Sequence, residues 1–156
     1  MISRYEIISA SVSSIYHDIQ KIQRTEMAKY GLKGPHAQCL LAMSRYPEGI
    51  TAARLCEICE KDKAAISRTL TELEQAGMVS RQTNNGSRYR ARLTLTEQGQ
   101  AAARTVYRTA QRAVEQAGQG FDGAQRETFY HVLGLIADHL HTICKEGLQP
   151  EEKEKL

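Results

Sequence analysis

If residues 63–75 coil at 100° per residue, Lys63, Ala64, Ser67, Arg68 and Thr71 share one arc of the helix, and Ile66, Leu70 and Leu73 fall on the side next to it. The first arc carries an ammonium, a guanidinium, two hydroxyls and a methyl group. Side chains this short and this charged suit close approach to base edges and phosphates in a major groove; the plainer reading is a solvated helix face. Further on, Arg88, Arg90 and Arg92 recur at every second residue. In an extended strand they line one face with Thr94, while Tyr89, Ala91, Leu93 and Leu95 line the other. Such a basic face is fit for phosphates or a narrow minor groove, although charge also protects edge strands from aggregation.

A third pattern is Cys56-Glu-Ile-Cys59, the spacing of a zinc half-site or of a redox pair. A tetrahedral structural site needs four ligands, and no second cysteine pair or closely spaced histidine pair completes one. His139 and His141, two apart on a helix, point to different faces. Redox pairs of this spacing usually open a helix after a strand, whereas this one closes a helix. A metal or thiol-redox sensor using Cys56 and Cys59 therefore stands as the alternative reading; Cys56 and Cys59 are expected as core thiols, and all four cysteines, Cys39, Cys56, Cys59 and Cys144, as reduced. No metal or other cofactor is expected. His17 and His36 are candidates to border a ligand cavity. No nucleophile, base and oxyanion-stabilising set is apparent, so an enzyme is not expected.

The elements that must position these groups can be read from caps and periodicity. Asp62 stands where an N-cap belongs and Gly77 where the helix must stop. Thr51 caps a shorter helix before it, with Leu55, Ile58 and Cys59 facing inward and Arg54 outward, and Glu60 and Lys61 make the turn between the two. After Gly77, residues 78–83 and 88–95 flank Asn84-Asn85-Gly86, a strong hairpin signal. Two helices joined by a tight turn and followed by a basic hairpin make a winged helix-turn-helix, assigned to residues 35–95 together with a preceding helix over 35–45 that opens on Pro35.

Around this module the chain is helical. Over residues 3–30, Tyr5, Ile8, Val12, Ile15, Ile19 and Ile22 recur at alternating spacings of three and four, a stripe that needs a partner surface. Thr96 caps a helix to about residue 119 whose inward residues are small: Ala103, Val106, Ala110, Ala113, Val114 and Ala117. Asp122 and Gln125 form a capping box for a last helix bearing Phe129, Val132, Leu133, Ile136, Leu140 and Ile143, which Gly147 ends. The expected fold is mainly α with a small β-hairpin wing. Residues 1–34 and 96–148 are expected to form a helical dimerisation region, and the charged segment 149–156 to fray.

Composition is consistent with this. Seven basic residues against three acidic ones lie between Lys61 and Leu95, so this segment carries more than the whole net charge of +3. A basic footprint confined to one module is what phosphate binding requires. No apolar run spans a bilayer and nothing resembles a signal peptide, so no membrane partner is expected and the cytoplasm is the expected location.

The run from Leu55 to Arg68, Leu-Cys-Glu-Ile-Cys-Glu-Lys-Asp-Lys-Ala-Ala-Ile-Ser-Arg, resembles the helix-turn-helix of MarR-type transcriptional regulators. Gln38, the Leu73, Glu74, Gly77 ending of the second helix, and Leu95, Thr96, Glu97, Gly99 after the wing also sit where that family has similar residues. The resemblance implies a triangular α-rich homodimer that binds near-palindromic double-stranded promoter DNA, acts as a repressor, and is often released by a small-molecule effector or an oxidant. It places Cys59 at a buried aliphatic position and Cys56 at a small one. Where many members carry an Asp and an Arg two residues apart in the wing, this chain has Ser87 and Tyr89, with Arg88 and Arg90 beside them. Glu60 stands at a turn position where the family commonly has glycine.

Overall fold

In a computed structural model, which describes residues 3–82 and 91–148, Ser3 starts helix α1 (Arg4–Ala28) with a capping box. Its hydroxyl accepts from the Glu6 amide at 3.1 Å and its own amide donates to the Glu6 carboxylate at 2.7 Å. Gly31, at φ 69°, turns the chain toward α2 (Gly34–Met43), which has Pro35 in its first turn. Helix α3 (Ala52–Cys59) follows, with the Thr51 hydroxyl accepting from the Arg54 amide at 3.2 Å. Asp62 opens α4 (Lys63–Gln75) by accepting from the Ala65 amide at 2.8 Å.

Helix α4 stops by two backbone bonds. The Met78 amide returns to the Leu73 carbonyl at 2.9 Å and the Gly77 amide to Glu74 at 3.0 Å, with Gly77 at φ 71°. This is the left-handed ending that glycine makes at little cost. The same pair of bonds ends α3, from Lys61 to Cys56 at 3.1 Å and from Glu60 to Glu57 at 3.3 Å, but the left-handed residue there is Glu60, at φ 51°. Among the described residues it is the one non-glycine with positive φ.

Strand β1 (Val79–Gln82) pairs antiparallel with β2 (Arg92–Leu95), in the register Val79 opposite Leu95 and Gln82 opposite Arg92. A bridge from Ile50 to Leu93, with N–O distances of 3.0 and 2.8 Å, ties the loop before α3 to the same ribbon. Thr96 then joins the wing to α5 (Glu97–Ala117). Its amide donates to Met78 O at 3.0 Å, its hydroxyl donates to Gly77 O at 2.7 Å, and the same hydroxyl accepts from the Gly99 amide at 3.1 Å.

The chain divides into two units at Ala113 and Val114. The core of the first contains Met27, Leu40, Met43, Leu55, Ile66, Leu70, Leu73, Met78, Leu93 and Val106, contributed by every helix from α1 to α5 and by the ribbon. Ile58, expected inside, is half-buried, as is Leu41, whereas Cys39 and Met43 are buried. On α1, Tyr5, Ile8, Val12 and Ile15 are exposed. The second unit holds the end of α5 and α6 (Gly123–Glu146), which opens with the expected capping box between Asp122 and Gln125 at 2.8 and 3.0 Å. Arg126 closes the bend by donating to the Gly118 carbonyl at 2.8 Å. Phe129, Val132, Leu133, Leu140 and Ile143 are exposed on α6. No helix of the described residues is long and apolar enough to cross a membrane.

Candidate nucleic-acid interface

Helix α4 owes its two-sided character to where its apolar residues fall. Ile66, Leu70 and Leu73 are buried, and Thr69 joins them with its hydroxyl turned back onto the Ala65 carbonyl at 3.0 Å. Lys63, Ala64, Ser67, Arg68 and Thr71 are all exposed, on one continuous arc. Thr71 donates its hydroxyl to the Ser67 carbonyl at 2.9 Å, which leaves its oxygen lone pairs and its methyl group outward.

No acidic residue occurs from Lys63 to Thr71, and the two that follow are hydrogen-bonded to His36 and Arg81. Glu72 accepts from His36 Nε2 at 2.6 Å, and Glu74 accepts from Arg81 Nε at 2.7 Å. The exposed arc is therefore cationic, and it begins at a helix N-terminus whose amides and dipole add to the attraction for an anion. Asp62 is spent on the cap.

His36 is the residue that ties α2 to α4. The Lys33 amide donates to Nδ1 at 2.9 Å, so in the neutral ring the proton sits on Nε2 and faces Glu72. Its position on α2 hints at burial, but its partner lies 36 residues away and no local pattern announces it. His17, the other candidate for a cavity wall, is exposed on α1.

Beyond α4, Arg92 is exposed on the ribbon while Ala91 and Leu93 are buried, so the expected alternation holds from Ala91 to Leu93, whereas Thr94 and Leu95 are both half-buried. Arg92 donates to the Glu48 carbonyl at 2.9 Å, which commits one of its nitrogens to the loop before α3. Arg88 and Arg90, with the turn at Asn84-Asn85-Gly86, lie outside the described residues.

Two clefts flank this framework in the first unit. One, of about 460 Å³, is lined by Met43, Tyr46, Leu95, Gln100, Arg104 and Tyr107, a mixture of apolar walls, phenols and one guanidinium. The other, of about 270 Å³, lies between α2 and α4 and is lined by His36, Cys39, Cys59, Lys61, Arg68 and Glu72, among others. All four cysteines are free thiols. Cys39 on α2 and Cys59 at the end of α3 both line the second cleft. Their mutual interaction, followed by burial, pushes the Cys39 thiol up; the same interaction, reinforced by the Lys61 charge, lowers the Cys59 thiol. Among the described residues no group of three or more His, Cys, Asp or Glu could hold a metal ion.

Comparison with known proteins agrees with this geometry. Residues 30–88 match the model of the MarR family. A MarR transcriptional regulator from Methanosarcina mazei Go1 is 25% identical, with a TM-score of 0.78 over 88% of this chain and 99% of that one. A MarR family transcriptional regulator from Silicibacter pomeroyi is 21% identical, with a TM-score of 0.73 over 86% and 90% of the two chains. One from Listeria monocytogenes, complexed with 26mer DNA, is 20% identical, with a TM-score of 0.75 over 91% and 96%. No curated protein sequence matches the chain.

Proposed function

From the match of residues 30–88 to the MarR family model, we propose that this protein is a sequence-specific transcriptional repressor that binds near-palindromic promoter DNA as a homodimer. The observation that carries the proposal is the exposed arc of α4, free of acid from Lys63 to Thr71, with Glu72 and Glu74 hydrogen-bonded to His36 and Arg81 beyond it. Lys63 and the N-terminal amides of α4 hold the backbone, Ser67 and Arg68 reach phosphate or base edge, and Ala64 and Thr71 offer methyl groups to thymine. Arg88, Arg90 and Arg92 are assigned to the flanking phosphates or minor groove, Arg92 with the part of its guanidinium that Glu48 leaves free.

The homodimer is supported by two apolar stripes, Tyr5, Ile8, Val12 and Ile15 on α1 and Phe129, Val132, Leu133 and Leu140 on α6, exposed on an isolated chain. We assign residues 1–34 and 96–148 to this association. The cleft between Tyr46, Arg104 and Tyr107 suits a flat aromatic anion, which the guanidinium would neutralise and the phenols and apolar wall would sandwich. Binding there is proposed to release the DNA. Sedimentation and footprinting test the reading together: a dimer should protect two half-sites about 10 bp apart. A stable monomer at micromolar concentration, or one asymmetric half-site, would contradict it.

A further inference from the structure

We infer that Lys33 and Lys61 bind phosphates of the DNA backbone along the cleft between α2 and α4, an assignment that rests on the proposed function and extends the interface beyond α4 and the wing. Lys33 stands just before α2 and Lys61 in the turn before α4. They are 28 apart in sequence, yet both line this one cleft together with Arg68. All three are exposed, and among the described residues none of their charged groups has a hydrogen bond or an ion pair. The lining has a single carboxylate, that of Glu72, and it is turned to His36 Nε2 at 2.6 Å. Other cations of the same unit are held: Arg54 by Glu57 at 2.6 Å, Arg81 by Glu74 at 2.7 Å and Arg92 by the Glu48 carbonyl at 2.9 Å.

Two side chains of α2 build the arrangement. His36 accepts from the Lys33 amide at 2.9 Å and pairs with Glu72 on α4, which fixes the Lys33 backbone beside that helix. Gln38 donates to the Cys59 carbonyl at 3.3 Å, two residues before Lys61, whose own amide returns to the Cys56 carbonyl at 3.1 Å. The backbones of both lysines are therefore anchored while their ammonium groups stay free.

Arg68 belongs to the cleft wall and to the exposed arc alike, so the two surfaces are continuous. A duplex seated on the arc brings a strand of its backbone along the cleft. An ammonium on a flexible stem is a point charge that suits phosphate and carries no base preference. Lys33 and Lys61 thus add affinity that is the same for every sequence, whereas the arc of α4 supplies discrimination.

The test compares wild type with Lys33→Ala and Lys61→Ala on the DNA upstream of the gene and on a scrambled duplex. Each variant should bind both duplexes more weakly, by the same factor on each. Each should also lower the slope of log K against log salt by about 0.9, which is about 3.5-fold less loss of affinity between about 50 and 200 mM salt. Lys33→Arg and Lys61→Arg should keep the wild-type slope. In wild type, the duplex should protect Lys33 and Lys61 from an acetylating reagent and leave Lys145, exposed near the end of α6, as reactive as before. Wild-type slopes in both alanine variants, or weaker binding with no change of slope, would overturn the assignment and leave the proposed function standing. A loss confined to the upstream duplex would make the lysines readers of sequence and overturn it too. Saturable binding of inorganic phosphate in the cleft, with slopes unchanged by either variant, would make this a site for a free anion instead. Failure of wild type to bind any duplex would sink the proposed function, and this assignment with it.

Discussion

Replacing Gly99 with alanine would set the new methyl carbon 2.0 Å from the Met78 carbonyl oxygen and 2.9 Å from its carbon. Ordinary van der Waals approach starts near 3.4 Å, so the first turn of α5 and the Met78 peptide must part by more than an ångström. That peptide is also where the wing is fastened. Met78 O accepts from the Thr96 amide at 3.0 Å, and the Thr96 hydroxyl links Gly77 O to the Gly99 amide at 2.7 and 3.1 Å. Losing two of these bonds costs about 1 kcal/mol each, and the crowding itself about 1 to 3 kcal/mol. Gly99→Ala should therefore destabilise the fold by about 3 to 5 kcal/mol, which at a urea slope of about 1 to 3 kcal/mol/M lowers the midpoint by about 1 to 5 M. The assay is urea unfolding followed by circular dichroism, at fixed protein concentration because the stability of the proposed dimer depends on it. A midpoint shift below about 0.5 M with an unchanged slope would refute the reasoning. The close approach of α5 to Met78 would then be wrong.

Three further outcomes follow from other positions. Glu60→Gly should relieve a left-handed residue and raise stability by about 1 kcal/mol, seen as a higher melting temperature; a lower one would mean that the Glu60 side chain matters more than its backbone. His36→Ala should cost about 2 to 4 kcal/mol in chemical denaturation, because it empties a buried site and removes the bonds to Lys33 and Glu72, and a cost below about 1 kcal/mol would show that α2 and α4 pack without it. Arg88→Ala combined with Arg90→Ala should flatten the plot of log K against log salt by about 0.9 for each phosphate that is no longer neutralised. An unchanged slope and affinity would make the wing a charged edge only.

What the sequence made legible was whatever depends on neighbours along the chain. Thr51, Asp62, Thr96 and Asp122 all cap the helices expected of them, because a cap is decided within three residues. The exposed arc from Lys63 to Thr71 was legible for the same reason, since helical period alone sorts it from Ile66, Leu70 and Leu73. Long-range pairings were not. Nothing local joins His36 to Glu72, Arg81 to Glu74, or Ile50 to Leu93. The cysteines show the limit best: the spacing drew attention to Cys56 and Cys59, but the fold brings Cys59 and Cys39, on another helix, to the wall of one cleft. Gly99 lies between. Its identity could be read as part of a recurring pattern, but the reason for it is a carbonyl 21 residues earlier.

The central claim is that the outer face of α4 reads DNA, and Arg68 tests it most directly, since it is exposed and its removal leaves the core intact. Fluorescence anisotropy should compare wild type and Arg68→Ala on the DNA upstream of the gene and on a scrambled duplex, each at two salt concentrations. Wild type should prefer the upstream fragment. Arg68→Ala should lose about 1 to 3 kcal/mol on that fragment and less on the scrambled one if the guanidinium reads a base, or equally on both if it clamps a phosphate. Equal binding by the two proteins on every probe would remove α4 from the interface and contradict the account.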